Sequence, residues 1–356
     1  MWKNLTLFGA AMLVTAVLAE VAIRLLDPAL LREEDRIGLT TISAVRDESG
    51  AIRYPPHQSV RTAMLSGRKV LFDIRFRTND RGLLDHRDYG AGRTNSQAWA
   101  FVGDSFAAGV GGDSPWIPRL RDEYGLEIYN LGIGATGIQQ FPRILASEAK
   151  QLSFDEIVII AISDDFFRPL WTPLTINDEV RICVEGEDKA HCSERPPIAF
   201  LIDPNLAESA VVTYADELRQ RASYTRSTGS KLKQLLRQSH LLLFTKRLVE
   251  AIIIRQVLRS GELPKSLAAL DKIRLDFPEM RIRFIHVPDR YEAERKRYDF
   301  DPAAELEQRG IQYFDALSGC SLTPDHYLTG DQHPNQMGYE VLSRCVADYL
   351  ELAKQH

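Results

Sequence analysis

Lysine and arginine are not collected in one block in this chain of 356 residues; 44 basic residues are spread among 49 acidic ones, giving a net charge of -5. That distribution argues against a nucleic-acid role, because phosphate binding needs a concentrated basic surface. Cysteine is scarce, with four in all, and no Cys/His spacing resembles a zinc site. Internal repeats and low-complexity tracts are absent. Disorder as the main state is excluded, since 44% hydrophobic against 26% charged residues leaves ample apolar surface to offset chain entropy. At about 150 residues per domain, the length fits two ordinary domains or one large domain with an insertion.

Long apolar runs are also scarce, and the main one sits at the N-terminus. Asn4 to Ala19 carries no charge, and the run continues through Val21-Ala22-Ile23 and Leu25-Leu26, interrupted by Glu20 and Arg24. Lys3 and the amino terminus place positive charge before it, which orients the N-terminus toward the cytoplasm. A signal anchor from about Leu5 to Leu26 supplies the roughly 20 residues that a bilayer needs. Two other readings stand beside it. Val17-Leu18-Ala19 resembles a signal-peptide cleavage site, and a buried core helix is the third. The anchor is the preferred reading, with residues 1–27 as the span and the remaining chain exported. A second apolar stretch, residues 240–260, is broken by Lys246, Arg247, Glu250 and Arg255. Charges at that helical spacing indicate an amphipathic core helix, not a second span.

Export would put the cysteines in an oxidising compartment. Cys183 and Cys192 bracket a short polar loop and are natural partners, which leaves Cys320 with Cys345. Three connectivities are possible for four cysteines, and four buried thiols is the alternative.

Residues 28–95 are polar and irregular, with Pro55-Pro56 and one candidate strand at Val70–Arg77; they read as a stalk and lead-in segment. Beyond them, short apolar runs alternate with helical stretches. Strands are expected at Ala98–Gly103, Leu126–Leu131, Glu156–Ile162, Arg281–Val287 and Ile311–Phe314. Helices are expected at Trp116–Tyr124, at about Gln139–Gln151, from near Leu263, and at the chain's end. Continuous apolar strands alternating with helices indicate a parallel sheet covered on both faces. The expected fold class is therefore α/β, a three-layer α/β/α sandwich formed by residues 96–165 and 263–356. Residues 166–262 form an insertion, irregular to residue 228 and helical over 229–260. Two readings of it stand side by side: a cover over the carboxyl edge of the sheet, where open α/β sheets bind ligands, and a decorative surface subdomain.

Chemistry-bearing residues cluster at strand ends. Phe101-Val102-Gly103-Asp104-Ser105-Phe106 closes the first sandwich strand, and a serine at such a tip projects into the ligand crevice as a potential nucleophile. Near the end of the chain, Gly330-Asp331-Gln332-His333-Pro334-Asn335 offers a base and an orienting acid. Asp331 would accept from one ring nitrogen and fix the tautomer of His333. Each segment alone is as common in turns as in active sites; their order on compatible elements makes one set.

That set resembles the SGNH, or GDSL-type, hydrolase family. The matching pieces are Gly103-Asp104-Ser105, the run Asn130-Leu131-Gly132-Ile133-Gly134-Ala135-Thr136-Gly137, Ser163-Asp164-Asp165-Phe166, and Asp331-Gln332-His333-Pro334-Asn335. The bacterial membrane-anchored members are the most similar. Those have an N-terminal span ending in Glu and Arg, and a lead-in segment like Thr78-Asn79-Asp80-Arg81-Gly82-Leu83-Leu84-Asp85-His86-Arg87. The resemblance covers residues 78–165 and 280–352, not the insertion. It implies Ser105 as nucleophile, His333 as base and Asp331 as orienting acid. It also implies an oxyanion hole built from the Ser105 N–H, the N–H of Ala135 where the family has glycine, and Asp164 where the family has a donating asparagine. An ionised Asp164 cannot donate and would repel an oxyanion. Asp165 is expected to be structural. His57, His86, His191, His240, His286, His326 and His356 lack such a context.

What the resemblance implies is a serine esterase working through an acyl-serine, with no metal, nucleotide or other cofactor. Its substrate would be an ester, such as the O-acetyl groups of a cell-envelope glycan. The implied location is the bacterial inner membrane, single-pass, with the soluble body periplasmic. Two alternatives are an O-acetyltransferase of exopolysaccharide or peptidoglycan, and a non-catalytic binding protein that keeps the fold.

Overall fold

The computed structural model describes residues 14–23, 36–90, 97–226, 241, 245 and 261–352. The chain divides into two compact units. One comprises Met1–Ile37, Leu65–Val70 and Leu206–Val257; the other comprises Gly38–Met64, Leu71–Asn205 and Leu258–His356.

The segment ahead of residue 97 is rich in strands. It holds β1 (Arg36–Thr40), β2 (Val45–Arg46), β3 (Ile52–Arg53), β4 (Ser59–Ser66) and β5 (Lys69–Arg77). The main sheet follows with β6 (Ala98–Gly103), β7 (Glu127–Gly132) and β8 (Glu156–Ala161). Next come β9 (Trp171–Ile176), β10 (Glu179–Val184) and β11 (Ala199–Leu201), and finally β12 (Arg281–His286) and β13 (Gln312–Asp315). Residues 166–228, expected as irregular, thus contain three strands and the helix Glu208–Arg226.

The candidate strand Val70–Arg77 is β5, and β4 and β1 join it with β11, β10 and β9 in one sheet, ordered β5-β4-β1-β11-β10-β9. Leu39 pairs with Phe200 across the β1–β11 junction. β4 and β5 largely alternate buried with more exposed positions, and β9, β10 and β11 are mostly half-buried. A sheet with one wetted face has no need of the continuous apolar runs that mark strands in sequence.

The second sheet is the expected one. Its order is β13-β12-β8-β6-β7, and every pair is parallel. All six residues of β6, β7 and β8 are buried, as befits strands covered on both faces. Successive side chains alternate between faces. Ala98, Ala100 and Val102 join one apolar cluster with Ile157, Ile159 and Phe284. Phe141, Ile144 and Leu145 of α2 (Phe141–Glu148) complete it, with Leu270 and Ile273 of the helix over residues 261–276. On the opposite face, Trp99 and Phe101 join Val158, Ile160 and Ile285. They meet Trp116, Ile117 and Leu120 of α1 (Trp116–Tyr124) and Leu342 and Val346 of α3 (Gln336–Tyr349). This is a three-layer α/β/α arrangement. Each large side chain so buried contributes about 1.5–3 kcal/mol.

The lead-in motif fastens residues 78–90 to this sandwich through ion pairs that are buried or partly buried. Arg121 donates to both oxygens of Asp85, at 2.6 and 3.1 Å, and the Tyr89 hydroxyl donates to the same carboxylate at 2.6 Å. Arg81 pairs with Glu148, and Arg87 with Glu127. Both expected cysteine pairs are formed, Cys183–Cys192 and Cys320–Cys345.

Of the expected span Leu5–Leu26, only residues 14–23 are described. They are helical, with Val14, Val17, Leu18 and Val21 exposed, and the rest of the span lies outside the described residues. Among the described residues no helix is long and apolar enough to cross a membrane. Of the expected helix at 229–260, only Leu241 and Thr245 are described, both helical. The Leu241 N–H donates to Glu20 Oε2 at 2.8 Å.

Candidate active site

Ser105 stands where the sheet changes direction. From β6 the chain moves to β7 on one side and returns to β8 on the other, and ligands of open α/β sheets bind at such a switch point. Gly103 ends the strand. A Cβ there would lie 2.3 Å from the Ile160 carbonyl oxygen and 2.6 Å from Ala107 Cβ, so a side chain would force apart β8 and the turn that follows. Asp104 caps that turn, a single helical turn over Ser105–Ala108, by accepting from the Phe106 N–H at 2.8 Å. Capping fixes the serine's backbone at the strand tip.

His333 approaches from the loop before α3. The loop is held by Leu328 N–H to the His333 carbonyl at 3.0 Å. Asn335 anchors its end, accepting from the Gly338 N–H at 3.0 Å and donating to the Asp325 carbonyl at 2.8 Å. The spacing of two between Asp331 and His333 lets one carboxylate oxygen serve twice. Asp331 Oδ1 accepts from the His333 backbone N–H at 2.9 Å and lies 2.5 Å from His333 Nδ1. A carboxylate only accepts, so Nδ1 carries the proton and Nε2 presents its lone pair. That nitrogen is 2.8 Å from Ser105 Oγ. The ring is flanked by Phe106, with centroids 5.0 Å apart, and edge-on by Phe72 of β5 at 6.4 Å. Ser105, His333 and Asp331 thus form one hydrogen-bonded chain.

The loop after β7 passes Ser105, with a Cβ built on Gly134 lying 4.0 Å from Ser105 Cβ, and Ala135 is the next residue. Its φ is 63°, the left-handed region that costs a residue with a Cβ about 1–2 kcal/mol. Trp171 Nε1 donates to the Ala135 carbonyl at 2.9 Å and holds that peptide. Asn130 is structural, donating to the Leu84 carbonyl at 2.9 Å and accepting from the Gly132 N–H at 3.0 Å.

The block after β8 departs from the arrangement implied for it. Asp164 is 66% exposed, and its carboxylate engages Arg168 Nε at 3.0 Å; no contact joins it to Ser105 among the described residues. Ser163 does not replace it, because its buried hydroxyl faces His286 Nε2 at 3.2 Å and the Phe300 carbonyl at 3.1 Å. His286 is itself buried, stacked on Tyr298 at 3.7 Å, and burial pulls its pKa down to about 3. It is a neutral packing residue.

Arg168 is the residue that motif reasoning missed. Its Nη1 lies 3.0 Å from Asp104 Oδ2, 2.7 Å from Asp165 Oδ1 and 2.9 Å from the Thr136 carbonyl. Asp104 Oδ2 is in turn 3.3 Å from Ser105 Oγ. Asp165 is fully buried and accepts from the Ile162 N–H at 3.1 Å. Burial and the neighbouring Asp104 charge push its pKa well above the carboxylate range, against the pull of Arg168. The only local trace of this cluster in sequence is the Asp-Asp-x-x-Arg spacing of 164–168, ordinary for one helical turn. Among the described residues, no group of three or more His, Cys, Asp or Glu could hold a metal ion.

No family model matches the chain, and no curated protein matches it. Solved structures give weak likenesses. A GDSL-like lipase from Bacteroides thetaiotaomicron is 10% identical over 74% of this chain and 92% of its own, with a TM-score of 0.35. The lipase/acylhydrolase from Enterococcus faecalis is 11% identical over 71% and 95%, with a TM-score of 0.34. An acetyl xylan esterase from Butyrivibrio proteoclasticus is 13% identical over 73% and 64%, with a TM-score of 0.33.

Proposed function

We propose that this chain is a serine esterase. The observation that carries the proposal is the continuous hydrogen-bonded chain from Ser105 Oγ through His333 to Asp331. Ser105 Oγ attacks the ester carbonyl while His333 Nε2 takes its proton. Asp331 keeps Nδ1–H oriented and stabilises the imidazolium. The tetrahedral intermediate collapses to an acyl-serine as His333 returns the proton to the departing alcohol. Water, deprotonated by the same histidine, then releases the acid. The Ser105 and Ala135 N–H groups are the backbone donors for the oxyanion.

The narrower reading is that the substrate is an O-acylated glycan of the cell envelope and that residues 1–27 anchor the body to the inner membrane, with the body on the periplasmic side. The charge-free run Asn4–Ala19 behind Lys3 supports the anchor. Two disulfides support an oxidising compartment.

The test is acetate release from 4-nitrophenyl acetate and from an acetylated oligosaccharide by the full chain and by Ser105→Ala. Loss of release in the variant supports the esterase. Release by wild type that Ser105→Ala retains contradicts it. A parallel reaction with an unacetylated oligosaccharide separates hydrolysis from transfer; acetyl appearing on that sugar, with less free acetate, would replace hydrolysis by acyl transfer.

A further inference from the structure

We infer that the hydroxyl of Tyr54 is the side-chain donor of the oxyanion hole, in the role that Asp164 cannot fill. The inference rests on the esterase reading of Ser105 and deepens it.

The oxyanion of a tetrahedral intermediate forms beside the nucleophile, and holes are completed by side-chain donors, tyrosine among them. Asp164 is turned to Arg168, and Ser163 is engaged in the interior. A different group stands open at the site. A Cβ built on Gly134 would lie 3.6 Å from the Tyr54 hydroxyl oxygen and 4.0 Å from Ser105 Cβ. The phenol and the serine therefore border the same small space, which Gly134 leaves empty. Ala135, whose N–H is the implied backbone donor, is the next residue. Among the described residues the Tyr54 hydroxyl has no hydrogen-bond partner, so its proton is not committed elsewhere. Burial raises its pKa above the usual phenol value, which keeps it protonated and able to donate.

The lead-in motif holds this tyrosine in place. The Tyr54 N–H donates to the Gly82 carbonyl at 3.1 Å, and the His57 N–H donates to the Asn79 carbonyl at 3.1 Å. The Thr78 hydroxyl donates to the Pro55 carbonyl at 2.8 Å. Asn79 Oδ1 ties its own turn by accepting from the Arg81 and Leu83 N–H groups, each at 3.0 Å. Gly82 sits at φ +72°, and a Cβ there would come within 1.8 Å of the Tyr54 carbonyl oxygen. The ring packs with Val110 and Leu328 against a small apolar cluster. Thr78-Asn79-Asp80-Arg81-Gly82 is thus a backbone cradle for residues 54–57, and its product is one fixed phenol at the active site.

The experiment compares the full chain with Tyr54→Phe, which keeps the ring and removes only the hydroxyl. Three readouts are taken: steady-state hydrolysis of 4-nitrophenyl acetate, affinity for a trifluoromethyl ketone that forms a tetrahedral adduct with serine, and melting temperature. The expected result is a kcat lowered about 10²-fold, the usual cost of losing one hole donor. KM should stay within about threefold and the melting temperature should not change, because an interaction made only in the transition state is lost. Ketone affinity should fall in parallel with kcat/KM. An active wild type whose Tyr54→Phe variant keeps kcat and ketone affinity within about threefold overturns this assignment and leaves the esterase reading standing. A wild type that neither hydrolyses the ester nor binds the ketone overturns both.

Discussion

Arg168 Nη1 donates to Asp104 Oδ2 at 3.0 Å. That carboxylate oxygen also lies 3.3 Å from the Ser105 hydroxyl. The Asp of the Gly-Asp-Ser segment caps the serine's turn with one oxygen and would face the developing negative charge with the other. Arg168 neutralises that second oxygen. Arg168→Met should therefore lower kcat/KM by about 10- to 100-fold, and the same substitution made in an Asp104→Asn background should cost much less. The coupling between the two should be about 1–3 kcal/mol, the range for residues in one network. Equal losses in both backgrounds would show that Arg168 does not act through Asp104.

Asp164 has a smaller effect in this account. It is mostly exposed and pairs with Arg168 through Nε, and exposed ion pairs are worth about 0–1 kcal/mol. Asp164→Asn should change kcat/KM by less than about fivefold. A rise of about 10²-fold, the value of a restored hole donor, would return position 164 to the hole.

Cys320 and Cys345 are 25 residues apart in sequence, with Cα atoms 5.5 Å apart. The bridge ties α3 to the segment after β13. Closing a loop of that length stabilises a fold by about 3 kcal/mol in the chain-entropy model. Replacing both cysteines by serine should lower stability by about that amount in urea unfolding; an unchanged midpoint would contradict it.

Glu292 is 1% exposed, and burial, aided by the Asp289 charge, pushes its pKa up to about 7. Between the unfolded carboxylate value near 4.5 and about 7, the folded state binds the extra proton. Stability from this group is therefore lost as pH rises through that window, by roughly 3 kcal/mol at most. Melting curves from pH 5 to 8 should show Glu292→Gln gaining on wild type as pH rises. Parallel curves would refute the shift.

The parallel sheet was legible in sequence because β6, β7 and β8 are buried on both faces and read as continuous apolar runs. The Ser105, His333 and Asp331 set was legible because Ser105 sits in one short motif, Gly103-Asp104-Ser105, and Asp331 and His333 share another, Asp331-Gln332-His333-Pro334-Asn335. Of the six-stranded sheet only β5 was legible, as the candidate strand Val70–Arg77; β1 pairs with β11 some 160 residues later, at Leu39 and Phe200, a pairing that no local run announces. Tyr54 gave no local signal, and Arg168 gave only the Asp-Asp-x-x-Arg spacing of 164–168. Their significance comes from the space beside Gly134 that the Tyr54 hydroxyl borders and from the Arg168–Asp104 pair, which only the folded chain brings together. Asp164 matched its motif by position, but Arg168, one turn later, draws its carboxylate away.

The most direct test of the central claim is covalent labelling of the full chain by a fluorophosphonate, with the modified residue located by mass spectrometry. Stoichiometric labelling at Ser105, lost in His333→Ala, is the predicted result. No adduct at Ser105, or an adduct at Ser105 that forms equally fast without His333, would contradict it.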